Sequence, residues 1–344
     1  MTKLVIGANG FLGSHVSRQL AAGGHDIRVM VRENANTVGI DDLDAHRFVG
    51  DIWDDDTLRR AMSGCDDVYY CVVDTRGWLR DPGPLYRTNV EGTRNVLRIA
   101  NEVNRDGQLH EGRGLRRFVY TSTYATVGRR RGHVANEDDV IADRGLTPYV
   151  RSRVQAEDLV LKAARDDGLP AVAMCVSTTY GPGDWGRTPH GAIIAGAVFG
   201  KLPFVLSGIE LEAVGVVDAA KAMVLAAEHG RVGERYLISD KMITNTEVAR
   251  IAAEAVEVSL SARSIPLPLT YALAILGTVK GRLRGTDERL SLNSLRLMRA
   301  ESPIDHSKAG RELGWHPEPV EESIREAARF WAGLRAAKRA AKRD

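Results

Sequence analysis

Residues 4–13 read Leu4-Val5-Ile6-Gly7-Ala8-Asn9-Gly10-Phe11-Leu12-Gly13. A short apolar run leads into three glycines spaced GxxGxxG, and a helical pattern starts at Phe11 and continues to Leu20. Glycines between a strand and a helix let the backbone approach a pyrophosphate closely. The N–H groups and positive dipole of the helix start then stabilise its charge. A turn that merely packs a helix on a strand would use the same residues, but a motif opening a strand–helix–strand unit favours a dinucleotide. Gly7, Asn9, Gly10, Phe11, Leu12 and Gly13 are therefore candidate cofactor-binding residues.

Outward from this motif, short β-rich runs alternate with helical patterns, as expected of βαβ units. Strands are predicted at 27–31, 47–49, 68–73, 117–121 and 171–176, and helices at 89–102 and from 149 to about 166. The run 68–73 is almost wholly apolar, as befits a strand covered on both faces. The polar, glycine-punctuated stretch 105–114 reads as an exposed loop. After Val176 the pattern loosens and Gly/Pro-rich pieces appear, among them Gly181-Pro182-Gly183 and Ile265-Pro266-Leu267-Pro268. The expected fold is α/β, a Rossmann-type doubly wound parallel sheet with a smaller C-terminal substrate lobe. The dinucleotide-binding domain spans 1–176, with the chain returning to it at about 212–243. The lobe takes 177–211 and 244–330, and 331–344 form a basic tail.

Composition limits the function. The chain has 344 residues with 47 Lys and Arg against 45 Asp and Glu, a net charge of only +2, so nothing suggests a nucleic-acid partner. Three scattered cysteines make no disulfide framework and no CxxC pair. His110, His133, His190 and His229 show no metal-ligand spacing and read as surface or loop residues, so no metal is expected. No signal peptide or transmembrane segment is read, and the expected location is the cytoplasm.

Two further places carry chemistry. The second predicted strand ends in Val31-Arg32-Glu33, where Arg32 stands at the position in which a carboxylate often meets the adenosine ribose. A guanidinium matches a 2′-phosphate, so NADP(H) is preferred and NAD(H) is the alternative; stacking on the adenine is the other reading of Arg32. Asp51 and Ile52 follow the third strand, where Asp51 is either an adenine-edge contact or a plain turn carboxylate. Farther on, Tyr149 and Arg153 are i,i+4 neighbours on one helix face. A cation one turn from a phenol lowers its pKa and suits it to proton transfer.

With these residues the chain resembles the extended short-chain dehydrogenase/reductase superfamily, that of NAD-dependent epimerases and dehydratases. The matching stretches are Gly7 to Gly13, Thr88-Asn89-Val90-Glu91-Gly92-Thr93, Tyr120-Thr121-Ser122-Thr123, Tyr149 to Glu157 and Gly181-Pro182-Gly183. Within it the chain is most similar to dihydroflavonol reductases, 3β-hydroxysteroid dehydrogenases and hopanoid-associated sugar epimerase-like proteins, chiefly over Leu85 to Val96. The resemblance implies that Tyr149 is the acid/base and that Thr123, or Ser122 as second choice, holds the substrate oxygen. It implies that Arg153 binds the nicotinamide ribose, with further cofactor contacts at Val72, Asn89, Thr121 and Val176. The family motif is YxxxK, and here Arg153 takes the place of the lysine. Arg keeps the charge but is bulkier and does not release a proton.

The reading is an NAD(P)-dependent oxidoreductase moving hydride between nicotinamide and a secondary alcohol or ketone of a small, hydrophobic substrate. A nucleotide-sugar epimerase or dehydratase is the alternative, with Arg187, Lys201 or Arg235 near the diphosphate. A weakly catalytic or non-catalytic dinucleotide-binding protein is the third, motivated by Arg153. The apolar segment 265–276 is read as lobe core, against a lipophilic substrate wall or an interfacial patch. The basic tail is a solvated face or a peripheral contact with acidic membranes. A homodimer is expected by analogy alone.

Overall fold

The computed structural model describes residues 1–110, 113–142, 146–298 and 302–341. The first half runs β1 (Thr2–Ile6), α1 (Phe11–Ala22), β2 (Asp26–Val31), β3 (His46–Val49), α2 (Asp55–Met62) and β4 (Asp67–Tyr70). It continues through the short α3 (Gly83–Tyr86), a π-helical stretch (Arg87–Gly92), α4 (Thr93–His110), β5 (Arg117–Thr123), α5 (Pro148–Asp166) and β6 (Ala171–Val176). The second half contains β7 (Thr178–Tyr180), α6 (Pro189–Val198), β8 (Phe204–Leu206), β9 (Glu210–Gly215), α7 (Val216–His229), β10 (Arg235–Ile238), β11 (Lys241–Thr244) and α8 (Asn245–Glu254). It ends with β12 (Arg263–Ile265), α9 (Leu267–Arg284), α10 (Leu292–Leu297), α11 (Ser307–Leu313) and α12 (Val320–Ala340).

Seven parallel strands in the order β10-β6-β5-β4-β1-β2-β3 form the main sheet. The order reverses between β1 and β4, which opens a crevice at the carboxyl ends of the strands. Each face is sealed by its own apolar layer. Leu4, Ile6, Val68, Phe118 and Tyr120 pack towards α2, α4 and α5, whereas Val5, Val29, Val119 and Val172 pack towards α1 and α7. The lobe holds a three-stranded sheet, β11-β9-β7, and a β12–β8 pair. Its separate core joins α6, α8 and α12. No helix among the described residues is long and apolar enough to cross a membrane.

Several sequence expectations shift. The loop expected over 105–114 is helix as far as His110; Gly107 sits inside α4, and the Asn104 side chain accepts from the Leu115 N–H at 2.9 Å to close the turn. Gly112 lies outside the described residues. The fourth strand stops at Tyr70 instead of Val73: the Cys71 N–H still bonds Ile6 O (2.9 Å), and beyond it the chain passes so close over Gly7 that only glycine leaves room. The helix expected over 89–102 starts earlier, at Gly83, and passes through the π-helical stretch.

The boundaries of the lobe move as well. β9 pairs with β7 and β11 instead of returning to the main sheet, whereas α11 and Trp315 pack on the main-sheet side against α7. Of the segment 331–344, residues 331–340 form the end of α12, with 336–341 exposed, and 342–344 lie outside the described residues. Trp331 is buried and Leu334 packs beside it in the lobe core, continuing the stripe Val320, Ile324, Ala327 and Ala328 along α12. Of the four histidines, His190 lies within α6, edge-on to Tyr180, and His133 bonds Asp139. Among the described residues, no cluster of three His, Cys, Asp or Glu side chains is arranged to hold a metal.

Candidate active site

The glycine turn sits at the crevice. The Gly7 N–H donates to Met30 O (3.0 Å) and the Cys71 N–H to Ile6 O (2.9 Å), so the loop leaves β1 between its two neighbours. Gly7 has φ +83°, and a Cβ there would stand 2.9 Å from Val72 Cγ2. A Cβ on Gly13 would stand only 2.3 Å from Gly7 O, which is why the helix can lie so close to the strand end. Gly10 differs, since its Cβ would meet just one atom within 4 Å, Gly7 O at 3.2 Å. At its start, α1 has no capping side chain and no acidic residue in the first turn. Its free N–H groups and dipole are therefore available to an anion.

The other cofactor candidates distribute around this turn. Arg32 follows β2 directly, is exposed, and has no ion-pair partner among the described residues. Gly50 N–H bonds Val31 O (3.0 Å), which brings Asp51 to the same edge. The Ile52 side chain instead packs on Gly92, where a Cβ would come within 2.4 Å, and its carbonyl accepts from Asn95. Val72 lies beside Gly7, and Val176 ends β6. Asn89 is fully buried and acts as a brace: its amide donates to Asp74 O (3.0 Å) and Ser152 Oγ (3.1 Å), and its oxygen accepts from Asp74 N–H (2.8 Å).

The chemical residues meet at the end of β5 and the start of α5. Thr147 caps α5, its hydroxyl accepting from Val150 N–H, and Pro148 occupies the first turn, where a missing N–H costs nothing. Tyr149 follows at once. Burial pushes its phenol up from the ordinary tyrosine value, while the Arg153 guanidinium and the Thr123 hydroxyl beside it pull the other way. Burial wins, so the resting phenol carries its proton. The lowered phenol pKa expected from the Tyr149–Arg153 spacing is therefore not found, because burial outweighs the pull of the cation.

Arg153 is 1% exposed. One terminal nitrogen, Nη2, donates to Thr121 O, the guanidinium lies 5.2 Å from the Tyr120 ring centroid, and Nε and Nη1 have no partner. Two buried, unsatisfied charged donors are costly, and such groups belong with a ligand that accepts from them. Together with the glycine cradle, they fit a nicotinamide dinucleotide whose ribose hydroxyls would face Arg153.

Ser122 and Thr123 separate across the pleat, as neighbours on a strand do. Ser122 Oγ donates to Glu157, which also accepts from Thr126 Oγ1 (2.9 Å), Cys175 Sγ (3.3 Å) and Arg235 Nη1 (3.1 Å). This buried knot stood out in no reading of the sequence, although Glu157 lies one turn beyond Arg153. It commits Ser122 to packing and leaves Thr123 on the Tyr149 side. It also removes Arg235 from any diphosphate, because the remaining guanidinium nitrogens bond the carbonyls of Glu137 and Asp139. Glu157→Ala is expected to cost about 3 kcal/mol in chemical denaturation by stranding Arg235 half-desolvated, whereas the paired change Glu157→Leu with Arg235→Met should regain most of it. A loss below about 1 kcal/mol for Glu157→Ala would contradict that role.

Beside Tyr149 opens a cavity of about 800 Å³. Its apolar wall includes Val127, Val140, Ile141, Leu146 and Val150, and Tyr271 and Leu297 close it from α9 and α10. A Cβ on Gly77 would lie 2.8 Å from Leu297 and 3.4 Å from Tyr149, so the segment after β4 passes between them. Arg129, Arg130 and Arg296 contribute charge, offset by Asp138 and Asp139. Sequence reading passed over this wall because 127–150 shows no regular periodicity and its closing residues, Tyr271 and Leu297, come from far along the chain.

Residues 3–239 match the model of the NAD dependent epimerase/dehydratase family. The chain belongs to that family. Its oxidoreductase relatives include a Synechocystis protein assigned provisionally as a dihydroflavonol 4-reductase, 29% identical over 95% of this chain and 93% of its own length. Sterol demethylase protein B of Methylococcus capsulatus is 27% identical over 96% and 98% of the two chains. Among solved structures, gox2253 matches with a TM-score of 0.82 and 30% identity over 97% and 98% of the chains. The Thermotoga maritima UDP-glucose 4-epimerase, at 20% identity and TM-score 0.76 over 97% and 99%, shares the fold.

Proposed function

We propose that this member of the NAD-dependent epimerase/dehydratase family is an NADP(H)-preferring oxidoreductase. It interconverts a secondary alcohol and a ketone on a hydrophobic substrate, of the 3β-hydroxysteroid or dihydroflavonol-like kind. What supports this reading is the Tyr149 phenol beside the Thr123 hydroxyl and the Arg153 cation, with Thr147 and Val150 from the same turn lining a cavity of about 800 Å³ that has an apolar side as well as a charged one. The reductase and sterol-processing names of the relatives support a hydrophobic carbonyl compound.

The dinucleotide, when bound, supplies or accepts the hydride. The glycine turn and the start of α1 would hold its pyrophosphate, Arg32 its 2′-phosphate, and the spare donors of Arg153 its ribose hydroxyls. Thr123 orients the substrate oxygen. In reduction the Tyr149 phenol donates its proton to that oxygen, and in oxidation the phenolate takes it back. Arg153 does not relay the proton, since its guanidinium stays charged.

Two expectations follow from named groups. Because the Tyr149 phenol is raised, reduction should be flat through neutral pH and fall only above the ordinary tyrosine range, with oxidation rising there. A reduction rate already falling between pH 6 and 8 would speak against Tyr149 as the donor (about the histidine range). Arg32→Ala should weaken NADPH binding by roughly tenfold or more and leave NADH nearly unaffected, measured by fluorescence titration. Equal losses for both would remove the 2′-phosphate role.

The epimerase reading needs cations for a diphosphate: Arg235 is engaged and Arg187 and Lys201 lie at the surface, but Arg129, Arg130 and Arg296 line the cavity and keep that reading as the alternative. The proposed setting is cytoplasmic, and the resemblance supports a homodimer.

A further inference from the structure

The apolar segment read as lobe core packs as core on one face only, where Ala274, with Leu267 and Tyr271 beside it, joins Ile209, Leu211 and Leu295. In α9 the buried positions are Thr270, Ala274 and Gly281, all small, and they let the helix lie close to its neighbours. A Cβ on Gly277 would strike Leu290 O at 2.1 Å, and one on Gly281 would stand 2.8 Å from Thr286 O. Five large side chains point outward on the opposite face. Leu269 is 50% exposed, Ile275 48%, Leu276 64%, Val279 48% and Leu283 82%. Leu269, Leu276 and Leu283 recur every seven residues, so they form one stripe.

Charge on this helix has one sign. Its 18 residues contain no Asp or Glu, and Lys280, Arg282 and Arg284 cluster at its C-terminal end. Lys280 pairs with Glu288 from the following turn, whereas Arg282 and Arg284 have no ion-pair partner among the described residues. The other nearby acid, Asp287, caps the Arg80 N–H. An aliphatic stripe with cations at one end and no acid of its own complements a surface whose phosphates overlie hydrocarbon. Scattered exposed leucines would be ordinary, but a contiguous row on one helix asks for a cover.

We propose that the outer face of α9 docks on an anionic phospholipid bilayer, with the stripe in the interface and Arg282 and Arg284 on the headgroups. The helix lies on the membrane and does not cross it. Tyr271, on its other side, lines the cavity beside Tyr149, so the bilayer would lie about one helix diameter, roughly 10–12 Å, from that cavity. Delivery of a lipophilic substrate across this distance rests on the oxidoreductase reading; the docking itself does not.

The test is flotation of the full chain, without substrate, on vesicles of phosphatidylcholine alone and of phosphatidylcholine mixed with phosphatidylglycerol. The protein should float with the mixed vesicles and much less with the neutral ones, and added salt should release it. Leu276→Glu with Leu283→Glu should reduce partitioning by about tenfold or more, and Arg282→Glu with Arg284→Glu by a similar factor. Val232→Glu, at a half-exposed valine elsewhere, should change nothing. All these positions face solvent, and unchanged thermal unfolding would confirm that the variants fold. Failure to float with anionic vesicles, or flotation indifferent to both pairs of substitutions, overturns the proposal. So does a wild-type dimer that the leucine pair converts to monomer, which would assign the stripe to a second copy of the chain.

Discussion

Tyr149→Phe is expected to abolish turnover, by at least about a hundredfold, while dinucleotide affinity stays nearly unchanged. The substitution removes one oxygen and leaves the ring at the start of α5, where the segment through Gly77 passes beside it. Arg153 keeps its bond to Thr121 O and its place on Tyr120, so the groups expected to meet the ribose are untouched. Steady-state rates beside a binding titration separate the two effects. Retained turnover would show that another group moves the proton. A parallel loss of binding would place Tyr149 in the cofactor site alone.

Gly13→Ala should do more damage than any other single methyl in the glycine turn. Its Cβ would stand 2.3 Å from Gly7 O, 3.0 Å from Gly7 C and 3.2 Å from Ala8 Cα, all backbone, so α1 must move off the end of β1. Overpacking of this kind costs about 1–3 kcal/mol. The shift also misaims the first-turn N–H groups, and dinucleotide affinity should drop by about a hundredfold. Gly10→Ala is the informative partner, because its Cβ meets only Gly7 O, at 3.2 Å. It should fold with nearly normal stability and lose affinity by filling the space a pyrophosphate would take. Thermal unfolding and dinucleotide titration on both variants would check the pair. Normal affinity in Gly10→Ala would detach the turn from cofactor binding.

What the sequence revealed follows from what local pattern encodes. The GxxGxxG turn, the strands and the start of α5 all depend on residues within a few positions of one another, and each lies where the pattern placed it except the end of the fourth strand. Tyr149 and Arg153 share a face because helical spacing requires it. The fate of Arg235 and Glu157 was hidden because their bond spans 78 positions. The pleat sends Ser122 to that knot and Thr123 to the other side, and a row of hydroxyls in sequence does not say which face is which. The α9 segment shows the same limit differently. Its composition looked like core, yet only Leu267, Tyr271 and its small residues face inward, while Leu269, Leu276 and Leu283 face out, a choice made by the close approach of Leu290 and Thr286.

Arginine at position 153 makes the chemistry worth testing in its own right. Arg153→Lys would leave a shorter cation beneath Tyr149 with a proton it can exchange. A rise in rate would mark the arginine as a brake, and a fall would mark a site shaped around its two spare donors.

The central claim is net hydride transfer to a hydrophobic ketone, and nicotinamide absorbance over time tests it most directly. Purified protein would be given NADPH with aryl ketones, and NADP or NAD with a 3β-hydroxysteroid. The account predicts a steady absorbance change, faster with the phosphorylated dinucleotide and absent in Tyr149→Phe. No change with any of these substrates, with dinucleotide binding confirmed in the same preparation, would contradict it and favour an epimerase or a protein that only binds the cofactor.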